Sequence, residues 1–582
     1  MLLVVESQPL SRSLPGPRAG WKSETLVAIV LFLVGISLFF RVDQIPGNFD
    51  DARFNMYVVE HGYRWLTGLD KSFWSAPFFY PAQNVITYSD NHLGSFLFYS
   101  VFRILGADRE TAFQLWGITL FTLNYFVTWI VLRRQRFHPV GALAAAYLFT
   151  FPYIMGIRIG FIQLAPRFMV PVAFWMASRF FETGKSKYLH WFLAACAYQI
   201  YLGIYIGYFL ILAVSSYCLF LFLLGRRWNA ISAFIKSADR SAIVRRGGEY
   251  AASCVGFVLV LLPLAIPYYQ TQRKVGTRRW EEIVPMLPHW RSYLQAPESY
   301  LWGKLLHFGD ILPLPFEQAL FLGALPYLGI VAFVYLSWKR RMSSAGSETR
   351  FAMLGVFLLL AVLTLYSSGF SLYRYLWAYL PGAGGIRAVT RVALVLIYPV
   401  AFIFGSVVTH LMTALAPGRA GSTSMLRLLL GISVLGLTVV DQITPFSAAG
   451  GVTKRECQRR VANLEAKIVQ ARGNNLNRKV LWVNDQSDKN FIWSFESMDA
   501  MLAGQDLGLN VVNGYSGLFP KGYPPAMFFL TGDCCNDLGV WARMHPGTIT
   551  SNSILEIGSH CEIPDDYLRV PDLIEKPVPP AH

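Results

Sequence analysis

The chain has 582 residues, 54% of them hydrophobic and 15% aromatic, with only 15% charged and a mean hydropathy of +0.40. Soluble domains carry roughly 25% charged residues, so this composition excludes a soluble globular protein and makes lipid the solvent for most of the chain. The formal net charge of +16 does not point to nucleic acid: the basic residues punctuate apolar stretches, where the positive-inside bias and anionic headgroups account for them, and no basic face with interleaved aromatics separates from that pattern.

In chain order, Met1–Lys22 is mildly basic, and the apolar run after it has no small-residue cleavage site, which predicts an uncleaved first span. Apolar runs bounded by Arg and Lys predict eleven spans, near 24–40, 111–132, 139–155, 167–181, 189–205, 207–224, 249–269, 319–338, 351–368, 391–413 and 426–443. The basic clusters Arg12/Arg18/Lys22, Arg133/Arg134/Arg136, Lys185/Lys187, Arg226/Arg227 through Arg246, Lys339/Arg340/Arg341 and Arg419/Arg427 fall at alternate ends of consecutive spans. All six can therefore lie in the cytoplasm together. The run His92–Gly106, with about 13 apolar residues, is too short to cross and is expected as a juxtamembrane or re-entrant helix on the outer face.

The expected fold class is thus a polytopic α-helical membrane protein: a cytoplasmic N-terminus (1–23), a membrane region (24–443) and an outer soluble domain (444–582). Its outer surface would carry loops 41–110, 156–166, 270–318 and 369–390 besides the tail. The tail is polar, with strand-like Lys479–Val483 and Leu509–Val512 and turn signals Asn513-Gly514 and Pro524-Pro525, which predicts a small α/β domain. Cys457, Cys534, Cys535 and Cys561 lie in it, where an oxidising exterior would permit disulfides. No Cys/His spacing suggests structural zinc. Cys196, Cys218 and Cys254 fall in spans and read as packing residues.

Candidate chemistry begins at Gly47-Asn48-Phe49-Asp50-Asp51-Ala52-Arg53-Phe54, just outside the first span. Adjacent carboxylates here are costly to desolvate and unnecessary for anchoring, so Asp51 or Asp50 is a candidate general base, with Arg53 beside them; a solvated acidic turn is the plain alternative. Tyr80, Asp90 and His92 supply an aromatic surface, a carboxylate and an imidazole suited to sugar rings, though an interfacial aromatic belt uses the same residues. Arg387 and Arg391, where the fourth outer loop enters a span, suit phosphate, and snorkelling is the alternative. Loop 156–166 holds no carboxylate, the oxygen donor a hard cation needs. Arg158, Gln163 and Arg167 become candidates for hydrogen-bonding donor or acceptor, as do Asn513 and Tyr515 in the tail, where a plain turn is the alternative.

The stretches NFDDARFNMYVVEHGYRWLTG, FWSAPFFYP, YSDNHLG, PGAGGIRAVTRVAL and NGYSGLFPKGYPP, together with the span pattern, resemble a poorly characterised bacterial branch of the GT-C superfamily of integral membrane glycosyltransferases. The architectural likeness covers most of the chain and the motifs about 70 residues. The resemblance implies transfer of a monosaccharide from a polyprenyl-phosphate carrier to a glycan, lipid or protein acceptor outside the inner membrane, with a periplasmic or extracellular tail. It places Asp51 at the family's first-loop acid, the base of an inverting displacement. Related sequences read Gly-Asp-x-x-Asp here, and this chain has Asn48 at the first acid, which keeps Asp50 as a substitute. Metal-dependent members carry acidic ligands in the second outer loop, so by this resemblance a loop 156–166 without carboxylates implies transfer without a metal cofactor. A transporter for a lipid-linked sugar and a non-catalytic envelope assembly protein are the rival readings, and ionisable residues deep in the spans, which a transporter favours, are nearly missing.

Overall fold

The computed structural model describes residues 21–225, 240–309, 311–342, 346–415, 422–445, 451–484, 493–521, 523, 534–546, 548 and 553–558. Its membrane region is built from α1 (Trp21–Phe39), strand β1 (Gln44–Ile45), α2 (Asp51–Leu66), α3 (Phe96–Ile104), α4 (Arg109–Arg134), α5 (Pro139–Thr150), α6 (Met169–Thr183), α7 (Ser186–Leu202), α8 (Ile204–Leu224), α9 (Arg240–Val275), α10 (Ala324–Trp338), α11 (Ser347–Thr364), α12 (Ala393–Ala414) and α13 (Ser422–Asp441). Every predicted span corresponds to a helix. Seven stretches among the described residues are long and apolar enough to cross a membrane: Lys22–Phe39, Arg109–Arg134, Pro139–Gly156, Ile204–Leu224, Ile243–Val275, Ser347–Thr364 and Val389–Ala414.

The helix ends follow local chemistry. Asp108 caps α4 by accepting from the Thr111 N–H at 2.9 Å, and Pro139, whose missing N–H costs nothing in a first turn, opens α5. The span predicted from 319 begins only at Ala324, because the Asp441 carboxylate accepts the Ala324 and Leu325 N–H groups at 3.0 and 3.2 Å and fixes the start there. Helix α9, at 36 residues, rises about 54 Å and so outreaches a hydrocarbon core of about 30 Å. Helix α3, with nine residues, rises about 14 Å, too little to cross.

Helix α12 is apolar all round and lies at the centre, packed on α5, α10 and α11. Helices α7 and α8 form a hairpin with Gly203 alone between them; a Cβ on Gly207 would lie 2.6 Å from the Ile200 Cα, so the two backbones meet only because that position is glycine.

The tail begins with β2 (Val452–Thr453), antiparallel to β1 of the first loop, so the chain's last domain is tied to its first outer segment. After it come α14 (Lys454–Arg472), whose Thr453 cap accepts from the Glu456 N–H at 3.1 Å, β3 (Val480–Asn484), α15 (Trp493–Leu507), β4 (Asn510–Val511), α16 (Cys534–Met544) and β5 (Ile554–Gly558). The strands form a parallel sheet in the order β4-β3-β5, and β3 is buried throughout, as a central parallel strand requires. Parallel pairing demands crossovers, which α15 and α16 provide. Cys457 is a buried free thiol, so it forms none of the disulfides the exterior would permit. Cys561 and the Cys534 and Cys535 side chains lie outside the described residues, as does the Pro524-Pro525 turn.

The predicted outer loops and the tail all meet. Arg53 of α2 pairs with Asp499 of α15, which also holds Arg460 at 2.7 Å. The backbone of residues 77–80 bonds that of Val511 and Asn513. Arg158 bonds carbonyls of 316–319, and Arg278 bonds the Gly517 carbonyl by side chain and the Gly384 carbonyl by backbone. At the opposite end of the helices Glu24 pairs with Arg133 at 2.5 Å, so the start of α1 and the end of α4 share a face, as alternating spans require.

Candidate active site

The candidate base lies at the first turn of α2. Asn48 Oδ1 accepts the Ala52 N–H at 3.1 Å and Asp50 Oδ1 the Asp51 N–H at 3.0 Å, so the short side chains before the helix satisfy its first donors. Gly47, at φ +110, is needed for the approach of the second outer loop: a Cβ there would lie 2.6 Å from the Gly160 Cα.

Asp51 is partly buried, and Tyr515 of the tail donates its phenol O–H to Asp51 Oδ1 at 3.0 Å. Burial, reinforced by the negative charge of Asp50, pushes the Asp51 carboxyl up to about 6; the Tyr515 hydrogen bond and the Arg391 charge pull the other way and lose. A carboxyl titrating there is ionised at neutral pH yet basic enough to take a proton. If Asp51 is the base, transfer weakens as pH falls below about 6. Tyr515→Phe removes a donor to the carboxylate and moves that limb to higher pH; Asp50→Asn removes a like charge and moves it to lower pH, each by roughly 0.5–1. Rate profiles between about pH 5 and 8 check both signs.

Facing the acid is Arg391, on the turn that leads into α12. It is 8% exposed, and its guanidinium carbon lies 5.1 Å from the Phe161 ring centroid and 4.5 Å from that of Tyr205. The guanidinium hydrogen-bonds no described residue, and its Nε is buried without a partner. A cation held over two rings with its donors unspent is preorganised for an anion. Arg387 is partly buried nearby: its N–H donates to the Tyr205 hydroxyl at 3.2 Å, and its charge acts on Tyr515.

Glu317, at the end of the third outer loop, was not singled out from sequence. Thr390 donates to its Oε2 at 3.4 Å, Arg158 Nε is 4.0 Å from it, and its charge reaches Asp51. Tyr205 and Asn55 were also missed. Tyr205 lies at the start of a span, Glu317 at the end of a loop and Asn55 inside a helix, positions that mark many residues, so the sequence carries no further signal for them. Among the described residues no three His, Cys, Asp or Glu side chains are grouped to hold a metal ion.

Of the residues singled out from sequence, the structure brings Asp50, Asp51, Gln163, Arg387, Arg391 and Tyr515 together, and ties His92 to them through Asn55. Others hold the scaffold. Arg53 and its Asp499 partner join α2 to the tail. Asp90 accepts the Ile204 N–H at 2.8 Å and so caps α8. Tyr80 bonds the tail through its backbone, taking the Tyr523 O–H at 2.5 Å on its carbonyl. Asn513 exchanges two 2.8 Å bonds with the Val483 backbone, completing the sheet in place of a strand residue. Arg158 spends its Nη donors on carbonyls at 2.7–3.4 Å. Arg167 is fully buried among the Leu394 and Thr150 carbonyls and the Phe149 ring.

No family model matches the chain, and no curated protein matches it. Among solved structures it is similar to the apo oligosaccharyltransferase of Archaeoglobus fulgidus, with a TM-score of 0.48 and 12% identity over 85% of this chain; the match spans 65% of that protein's length.

Proposed function

We propose that this chain is a membrane glycosyltransferase that moves a monosaccharide from a polyprenyl-phosphate carrier to an acceptor on the outer side of the cell membrane. The observation that carries the reading is the pairing, where the outer loops meet, of a partly buried carboxyl near pH 6 with a buried, unspent guanidinium. Ionised Asp51 takes the acceptor's proton while the acceptor atom bonds the anomeric carbon, and the bond from that carbon to the phosphate oxygen breaks with inversion. The departing electron pair stays on the phosphate, whose charge Arg391 and Arg387 meet; a phosphate is a weak enough base to leave without an acid. No metal is assigned to the step, because loop 156–166 offers neutral and cationic side chains where a hard cation needs carboxylates. The seven stretches long and apolar enough to cross a membrane support a lipid-soluble donor, since a polyprenyl tail dissolves in the same hydrocarbon.

The test is reconstitution in proteoliposomes with a labelled polyprenyl-phosphate sugar in the outer leaflet. The expected result is loss of label from the lipid and its appearance on an acceptor. Movement of intact lipid-linked sugar between leaflets, with no cleavage, would identify a transporter and overturn the proposal.

A further inference from the structure

We infer that Gln163 is a specificity-determining residue that presents only hydrogen-bond donors to the carrier phosphate, and that Asn55 and His92 are positioning residues that set its polarity. This rests on the glycosyltransferase reading and names the group that the second outer loop contacts.

The argument starts from a backbone atom. Asn55, one turn into α2, places its amide 2.6 Å from the Asp51 carbonyl oxygen, which only accepts hydrogen bonds, so the atom facing it must be Nδ2. The opposite corner of that amide is then Oδ1, and it faces His92 Nε2 at 2.7 Å, so Nε2 must carry the ring proton. His92 is 1% exposed, and its Nδ1 has no partner among the described residues. Burial pushes this imidazole down to about 3, so it stays neutral with a single N–H, which the Asn55 contact assigns to Nε2.

The second Nδ2 hydrogen of Asn55 points at the Gln163 amide at 2.9 Å, so the Gln163 atom there must be the acceptor Oε1. A fixed Oε1 fixes Nε2. The two Nε2 hydrogens therefore face away from Asn55, and they reach no described residue although the side chain is only 7% exposed. Each amide orientation follows from its neighbour, and the chain of assignments ends on a pair of donors that are unspent among the described residues, on a side chain that is otherwise largely covered.

Two residues before Gln163 lies Phe161, whose ring supports Arg391. The second outer loop thus holds one donor-only group and shelters another. A sugar hydroxyl asks for an acceptor as well as a donor, whereas phosphate oxygens accept only, so this pair matches a phosphate. The acceptor-type oxygens of the site belong to Asp51, Asp50 and Glu317, which leaves the proton-bearing acceptor to them.

The test reads binding by the full chain in detergent micelles, by calorimetry, with farnesyl phosphate, inorganic phosphate and farnesol as probes. Gln163→Glu keeps an oxygen for Asn55 but turns a second oxygen toward the phosphate, and it is expected to weaken farnesyl phosphate binding about tenfold or more. Gln163→Met, which removes the donors without adding charge, is expected to weaken it about threefold to tenfold. Farnesol should bind all three proteins within about twofold, since its hydroxyl presents no anion. Asn55→Asp should weaken farnesyl phosphate binding by turning the Gln163 amide over, and should cost clearly less in the Gln163→Met background, where nothing is left to turn. Unchanged farnesyl phosphate affinity in both Gln163 variants overturns the inference. Equal costs of Asn55→Asp in the two backgrounds overturn the positioning role, and inorganic phosphate bound as tightly as farnesyl phosphate overturns the lipid headgroup as the source. Since no turnover is read, active Asp51→Asn protein would sink the base assignment and leave these affinities untouched.

Discussion

Asp51→Asn should reduce sugar transfer by about 10²–10⁴-fold, the usual contribution of a positioned general base, while leaving the protein folded. The substitution is nearly isosteric, and the new amide oxygen can still accept the Tyr515 phenol proton now held at 3.0 Å. Helix α2 loses a negative charge at its first turn, worth about 0.3–1 kcal/mol, and Asp50 still caps it. Removing a carboxylate that burial disfavours offsets part of that cost. The measurement is kcat in proteoliposomes with donor saturating, beside thermal unfolding. Full activity in Asp51→Asn would transfer attention to Asp50, and full activity in Asp50→Asn and the double variant as well would remove the first-loop acids from the chemistry.

Arg391→Gln should lower kcat by about 10²–10³-fold, because it withdraws a charge that acts most strongly as negative charge builds on the departing phosphate. The Arg391 side chain makes no hydrogen bond to a described residue, so its loss orphans no partner. Stability should change little beyond the lost stacking on Phe161 and Tyr205. Arg391→Lys should recover only part of the rate, since a point charge cannot present a planar fork to two oxygens. An effect confined to KM for the donor would show that Arg391 binds ground state and transition state alike.

The helices were legible because lipid imposes a simple rule: a helix lies at every predicted span, and seven stretches among the described residues are long and apolar enough to cross a membrane. The limits show where packing decides instead: the stretch predicted from 319 starts at Ala324 only because Asp441 caps it. The candidate site was legible in part. Asp51 and Arg391 stand out since a charge at a bilayer boundary is costly and calls for a reason. Arg158 stands out equally and turns out to hold a loop by its carbonyls, because a sequence states which charges are present and not which are already spent. Asn55 was invisible for the converse reason: an uncharged residue inside a helix announces nothing until its three partners are seen.

The joint between the first loop and the tail bears on biosynthesis. The Phe79 and Tyr80 N–H groups find their acceptors on Asn513 and Val511, and β1 finds its partner in β2. A ribosome completes the first loop more than 400 residues before it reaches Val511, so for most of translation these groups are met by water or by a chaperone. The phenol that engages Asp51 arrives with the same late segment. A nascent chain with its first loop already complete therefore lacks the Tyr515 hydrogen bond to Asp51 until the final stretch of polypeptide folds onto that loop.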